Sequence, residues 1–297
     1  MKTLTALIKR NTSLFFKDKG MFFTAMITPL ILLVLYATFL GNIYEESFLQ
    51  VITEAGLSVD SKLLKGCVGG QLVSSLLSVS CITVAFCSNL LSVQDKVTGA
   101  RTDLTVSPLK PAVLSLSYYV ATLISTLIIC YVALFAGLIY VKYVGWYMSF
   151  KDILFLIADV FLLSLFGTAF SSVVNHFLSS QGQISAVSSI ISACYGFICG
   201  AYMPVSSFSN GLQKVLSFLP CTYATTLLRK HSLNGVFLEM ENVLPKEIID
   251  GMKGAVDFNI SFFDKNVDAK YMYLIIAVWS LVLMITYVLM NLKRSRV

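Results

Sequence analysis

Long apolar stretches parted by short polar segments set the pattern of this chain. They run over residues 21–40, 66–92, 112–141, 153–174, 184–203 and 271–290. Each approaches or exceeds the roughly 20 residues that an α-helix needs to cross about 30 Å of hydrocarbon. A soluble core helix is rarely this long and this free of charge. The pattern therefore predicts an all-α membrane protein with six transmembrane helices.

Between these stretches the pattern changes character. In residues 1–20, Leu4, Leu7, Ile8, Leu14 and Phe15 share an apolar face, while Lys9, Arg10, Lys17 and Lys19 can reach lipid headgroups. That predicts an amphipathic interfacial helix. Pro29 is expected to kink or loosen the first span. Residues 94–111 read as a polar loop with a short helix, capped by Asp95 or Thr98 and closed by Ser107-Pro108. Residues 212–219 and 224–229 are apolar but too short to span, and Pro204 and Pro220 break them up. They suit re-entrant segments buried in protein. Residues 231–270 read as a small cap with turns near Asn234-Gly235 and Pro245. The chain thus divides into 1–20, 21–203, 204–270, and 271–297 with its basic tail.

Charge orients the pattern. Lys2, Lys9, Arg10, Lys17 and Lys19 precede the first span, against Asp18 alone. Lys96, Arg101 and Lys110 lie between spans two and three, and Lys293, Arg294 and Arg296 follow the last span. Positive residues favour the cytoplasmic side, so both termini and the 94–111 loop are expected there, with 41–65 and 231–270 as outer loops. Composition agrees: 57% of residues are hydrophobic and 13% charged, against about 25% charged in soluble domains. The net charge of +6 belongs to membrane edges and implies no nucleic acid. The first stretch begins late and lacks a small-x-small site, so it is expected to stay in the chain. The seven cysteines form no C-x-x-C and read as small apolar packing residues, with no metal site.

Two spans carry a small-residue face. Cys67, Gly70, Ser74, Ser78, Cys81, Ala85, Ser88 and Ser92 recur at steps of three or four in span two, beside Asn89. Gly182, Ser185, Ser189, Ser192, Gly196 and Gly200 do so in span five. Such faces serve tight helix packing or a weakly polar path at a subunit interface. Asp159 lies roughly 10 Å along span four from Lys151. An acid at that depth is a proton or cation site, or a structural acid bonded to a neighbouring Tyr, Ser or Lys. It stands without a second acid or lysine, which makes a poor relay. His176 and His231 fall on opposite sides of the membrane. No P-loop, H-E-x-x-H or G-x-S-x-G is present, so no catalysis is expected on this chain.

Several stretches together resemble one family. Ile8-Lys9-Arg10, Phe15-Phe16-Lys17-Asp18-Lys19-Gly20 and Thr28-Pro29-Leu30 are similar to a basic connecting helix leading into span one. The 95–108 loop, with Thr98-Gly99, Leu104 and Ser107-Pro108-Leu109, is similar to a coupling helix. Gly200-Ala201-Tyr202-Met203-Pro204, Leu219-Pro220-Cys221-Thr222-Tyr223 and Leu228-Arg229 resemble the end of span five and the outer re-entrant helices. The family is that of the membrane subunits of ABC-2 type (type V) ABC exporters. The chain departs from it in having Asp95 where Glu is frequent, and in a 231–270 segment without an assignable pattern.

The resemblance implies a permease that pairs with a same or related permease and with two ATPase subunits, which carry ATP and Mg. It implies coupling through Asp95, Lys96, Thr98, Gly99, Arg101, Asp103 and Pro108. It places Ser74, Ser78, Ser88, Asn89, Ser185, Ser189 and Ser192 on the path or interface, and Pro204, Pro220 and Tyr223 at an outer gate. The expected function is export of an amphipathic or hydrophobic compound (drug, antibiotic, peptide or lipid) across the plasma membrane. The alternatives are a proton-coupled carrier using Asp159 and a non-transporting scaffold.

Overall fold

The structure is a computed structural model and describes residues 2–54, 57, 59–106, 109–263 and 265–294. Helix α1 (Lys2–Lys17) buries Leu7, Asn11 and Phe15, spaced one helical turn apart, against the helix that carries span three. Asp18 then starts α2 (Lys19–Leu35), its Oδ1 accepting from the Met21 amide at 3.0 Å. The helix runs through Pro29, loosens into a π turn over Tyr36–Leu40, and continues as α3 (Gly41–Glu54). The expected outer loop at 41–65 is therefore helical through residue 54. Phe48 and Ile52, one turn apart and both buried, hold that extension onto the bundle.

Helix α4 (Ser61–Ser88) is the centre of the fold. Asp60 caps it by accepting from the Lys62 amide, and nearly every residue from Leu63 to Ser88 is buried. It continues past Asn89 as α5 (Leu90–Val97), then α6 (Ala100–Val106). Pro111 opens α7 (Pro111–Val144). A capping box of Ser149 and Asp152 opens α8 (Phe150–Phe177). Helix α9 (Gln181–Ile198) is shorter than the expected fifth span. It stops at Cys199, because Gly200 takes a left-handed φ of +78° and turns the chain.

Among the described residues, five helical segments are long and apolar enough to cross a membrane: Lys19–Gln50, Ser61–Val97, Pro111–Val144, Phe150–Phe177 and Ala269–Leu292. The last belongs to α13 (Ala269–Arg294). Helix α9, with Gln181 and Gln183 in its first turn, does not join them.

The segment after α9 differs most from expectation. A 3₁₀ turn (Val205–Ser207) and α10 (Asn210–Leu216) lead into α11 (Pro220–Met240), a helix of 21 residues packed against α4, α8 and α13. Asn234-Gly235 lies inside this helix and forms no turn. Gly235 is there for close approach: a Cβ would stand 1.9 Å from the Tyr147 carbonyl oxygen. Gly70 of α4 is similarly pressed: a Cβ there would stand 2.7 Å from the Ser232 carbonyl oxygen. Helix α12 (Lys246–Ala255) and a two-stranded hairpin, β1 (Ser261–Phe262) with β2 (Lys265–Asn266), complete that end.

Gly235→Ala is expected to force α11 away from the α7–α8 turn at a cost of about 1–3 kcal/mol or more. The thermal midpoint of the purified chain should fall by several degrees, while Gly211→Ala, at a site with open space around it, should not move it. Equal midpoints for both variants would contradict the close packing.

Candidate coupling and translocation sites

The segment after α4 is anchored by its charged residues. Asp95 is buried within α5, caps nothing, and is bonded twice. Arg10 of α1 donates from Nη1 at 2.9 Å, and the Tyr118 hydroxyl of α7 donates at 2.5 Å, both to Oδ2. Charge-assisted bonds of this kind are the stronger class. Lys96 donates to the carbonyls of Asn175 (2.9 Å), His176 (3.0 Å) and Leu178 (3.3 Å). It thus places a cation on the C-terminal end of α8, where the helix dipole favours one. Arg101 donates to Asn291 Oδ1 of α13 at 2.9 Å. Thr98 closes α5, and Gly99 takes a φ of +83° to turn the chain into α6. Asp103 is exposed, and Val97 and Val106 are 45% and 84% exposed. Pro108 and Ser107 lie outside the described residues. The segment is tied by side chains to α1, α7, α8 and α13, while its far surface stays open.

The two small faces part company. Ser185, Ser189 and Ser192 of α9 are exposed, and Gly182 has open space around it. The face on α4 is covered by the chain itself. Ser78 bonds Thr225 of α11 and donates to Cys199 Sγ at 3.4 Å. Asn89 donates to Ser171 and Ser172 of α8, each at 3.1 Å. Ser74 and Ser88 are buried as well. In this conformation the α4 residues assigned to a path or interface make intrachain packing, because α8 and α11 fill the room that small side chains leave.

The gate residues expected from the sequence lie in the segment that follows α9. Pro204 precedes the 3₁₀ turn, Pro220 is the first residue of α11, and the buried Tyr223 donates to the Ser217 carbonyl, closing the α10–α11 turn.

Residues 2–232 match the ABC-2 type transporter family. The chain belongs to that family. No curated protein matches it. As an ABC-2 type membrane domain with several apolar spanning helices, the chain is a multi-pass permease component of an ABC transporter and is not itself catalytic.

This permease holds two polar clusters whose partners the sequence did not show. Arg229 is 1% exposed on α11. Its Nη2 donates to the Gly200 carbonyl, and its Nη1 to Asp257 Oδ2 at 3.3 Å. Asp257 also accepts from the amides of Val205 and Ser206. One ion pair thus joins α11, the turn after α9 and the end of α12. The motif Leu228-Arg229 flagged the arginine, but nothing local pointed to Asp257. The second cluster corrects the view of Asp159 as isolated. Oδ2 meets His231 Nδ1 of α11 at 2.5 Å, and Oδ1 accepts from the Tyr273 hydroxyl of α13. Phe155 stacks on the His231 ring at a centroid distance of 4.8 Å. Both carboxylate oxygens are occupied by neighbours, an arrangement that holds three helices together.

Proposed function

We propose that this permease is the membrane subunit of an ATP-driven exporter, moving an amphipathic or hydrophobic compound such as a drug, antibiotic, peptide or lipid out of the cell. Two separate ATPase subunits hydrolyse ATP with Mg, and a second permease, same or related, completes the complex. The observation that carries this reading is the α5–α6 segment. Asp95, Lys96 and Arg101 bind it to α1, α7, α8 and α13, and its open side presents Val97, Thr98, Asp103 and Val106. A partner gripping that side moves four helices at once. Positive charge puts this end, with both termini, on the cytoplasmic side of the plasma membrane.

Helix α9 serves as the sixth crossing. Its 18 residues span about 27 Å, close to the roughly 30 Å of hydrocarbon. Its exposed serine face meets the second permease and lines the path, with Pro204, Pro220 and Tyr223 at the outer exit. The weakly polar lining suits apolar cargo better than charged cargo. The occupied carboxylate of Asp159 favours a structural acid over a proton carrier.

Ser189→Trp tests the interface. Differently tagged copies of the wild-type chain, or this chain and its related partner, should co-purify from membranes. The variant should lose most of that pairing while remaining monodisperse. Retained pairing and unchanged transport in the variant would remove the α9 face from both path and interface.

A further inference from the structure

We infer that the cavity between α6, the start of α7 and the end of α13 is a binding site for the phosphate headgroup of an anionic phospholipid. The cavity has a volume of about 460 Å³ and is lined on its polar side by Lys96, Arg101, Thr102, Thr105 and Asn291. Pro111 and Leu114 of α7 form part of an apolar wall. Among the lining residues two are cations and none is a carboxylate. Among the described residues no carboxylate oxygen lies within salt-bridge distance of Arg101. Among the described residues the guanidinium donates to Asn291 Oδ1 alone, and the planar fork has further N–H groups to offer a phosphate oxygen. Thr102 and Thr105 are exposed hydroxyl residues one turn apart on α6. The Thr105 hydroxyl donates to the Thr102 carbonyl at 2.7 Å, which leaves Thr102 to bring a neutral donor to the same opening.

Position distinguishes a lipid from a free phosphate. The cavity sits where two membrane-crossing helices end, α7 at its start and α13 at its finish. Along the same α13, Leu281, Ile285, Leu289 and Leu292 are exposed and apolar. That stripe lies about a third of a turn round the helix from Asn291 and offers an apolar surface to acyl chains that leave the cavity when a headgroup is held at Arg101 and Asn291. Basic pockets between helices at this depth select anionic over zwitterionic headgroups, because each nearby cation adds to the attraction. Bound lipid would bridge α6 to α7 and α13, and so stiffen the segment that the proposed ATPase grips. The site itself needs neither ATP nor the ATPase.

The full-length chain, reconstituted in nanodiscs of equal phosphatidylglycerol and phosphatidylcholine with matched acyl chains and then released for native mass spectrometry, tests this. The wild type should retain phosphatidylglycerol over phosphatidylcholine by about tenfold or more, since two cations act together. Arg101→Gln should lower that preference several-fold. The paired change Thr102→Glu with Thr105→Glu, which puts two acids on exposed positions of α6, should bring it close to parity. Parity in the wild type, or a preference that all variants keep, overturns the proposal. Selective loss of phosphatidylglycerol in the presence of millimolar inorganic phosphate also overturns it, by assigning the cavity to a soluble anion. Because the readout contains no ATPase, its failure leaves the exporter reading untouched, and failure of the exporter reading leaves it untouched in turn.

Discussion

Arg229→Ala is expected to destabilise the chain by about 3–5 kcal/mol, the cost of leaving one member of a buried ion pair without the other. The side chains of Arg229 and Asp257 are 1% and 7% exposed, so water cannot replace the lost contact. The substitution also strips the Gly200 carbonyl of its donor, at the point where the chain turns with a positive φ. Asp257 would keep the Val205 and Ser206 amides, so part of the turn after α9 should survive. Asp257→Ala should cost a similar amount. Removing both groups should cost less than the sum of the two single changes, because the second deletion has no stranded charge to create. Arg229→Lys should not rescue the site, since a point charge cannot serve both Gly200 and Asp257 as the planar fork does. Heating the purified variants in mild detergent and following the monodisperse fraction reads these effects. Single variants as stable as the wild type would show that the pair is dispensable.

The second large effect is functional. Replacing residues 97–103 by a Gly/Ser linker should abolish the effect of the permease on its ATPase while leaving the spans folded. Asp95 and Lys96 stay in place, so the Arg10, Tyr118 and α8 contacts persist. What disappears is the rigid α6 start and the Arg101–Asn291 bond that passes a push to α13. Transport driven by the complex should fall to background, with hydrolysis unaffected by the permease. Coupled transport at the wild-type level in the linker variant would remove α6 as the lever.

Much of the architecture was legible because membrane spans are encoded locally. Five of the apolar stretches coincide with helices long enough to cross. The N-terminal helix was legible from its apolar face, of which Leu7 and Phe15 are buried while Leu14 stays exposed; the burial of Asn11 was not. What stayed hidden depends on long-range contacts. Asp159 finds His231 and Tyr273 at sequence separations of 72 and 114 residues. Asp95 looked like a cap because it follows an apolar run, yet Arg10, 85 residues away, and Tyr118 draw it inward.

Helix α11 was missed for a different reason. Asn234-Gly235 has the composition of a turn, and the helix overrides it because Gly235 alone can sit against the Tyr147 carbonyl. The small face of α4 carried the right signal with two readings, packing or path. In this conformation Thr225, Ser171 and Ser172 bond to residues of that segment, contacts that no local pattern encodes.

Purifying the chain in mild detergent from its native membrane, and identifying what accompanies it by mass spectrometry, tests the exporter reading most directly. An ABC ATPase is expected in near-equal amount, lost when residues 97–103 are replaced. Reproducible absence of any ATPase from intact, monodisperse preparations would contradict it.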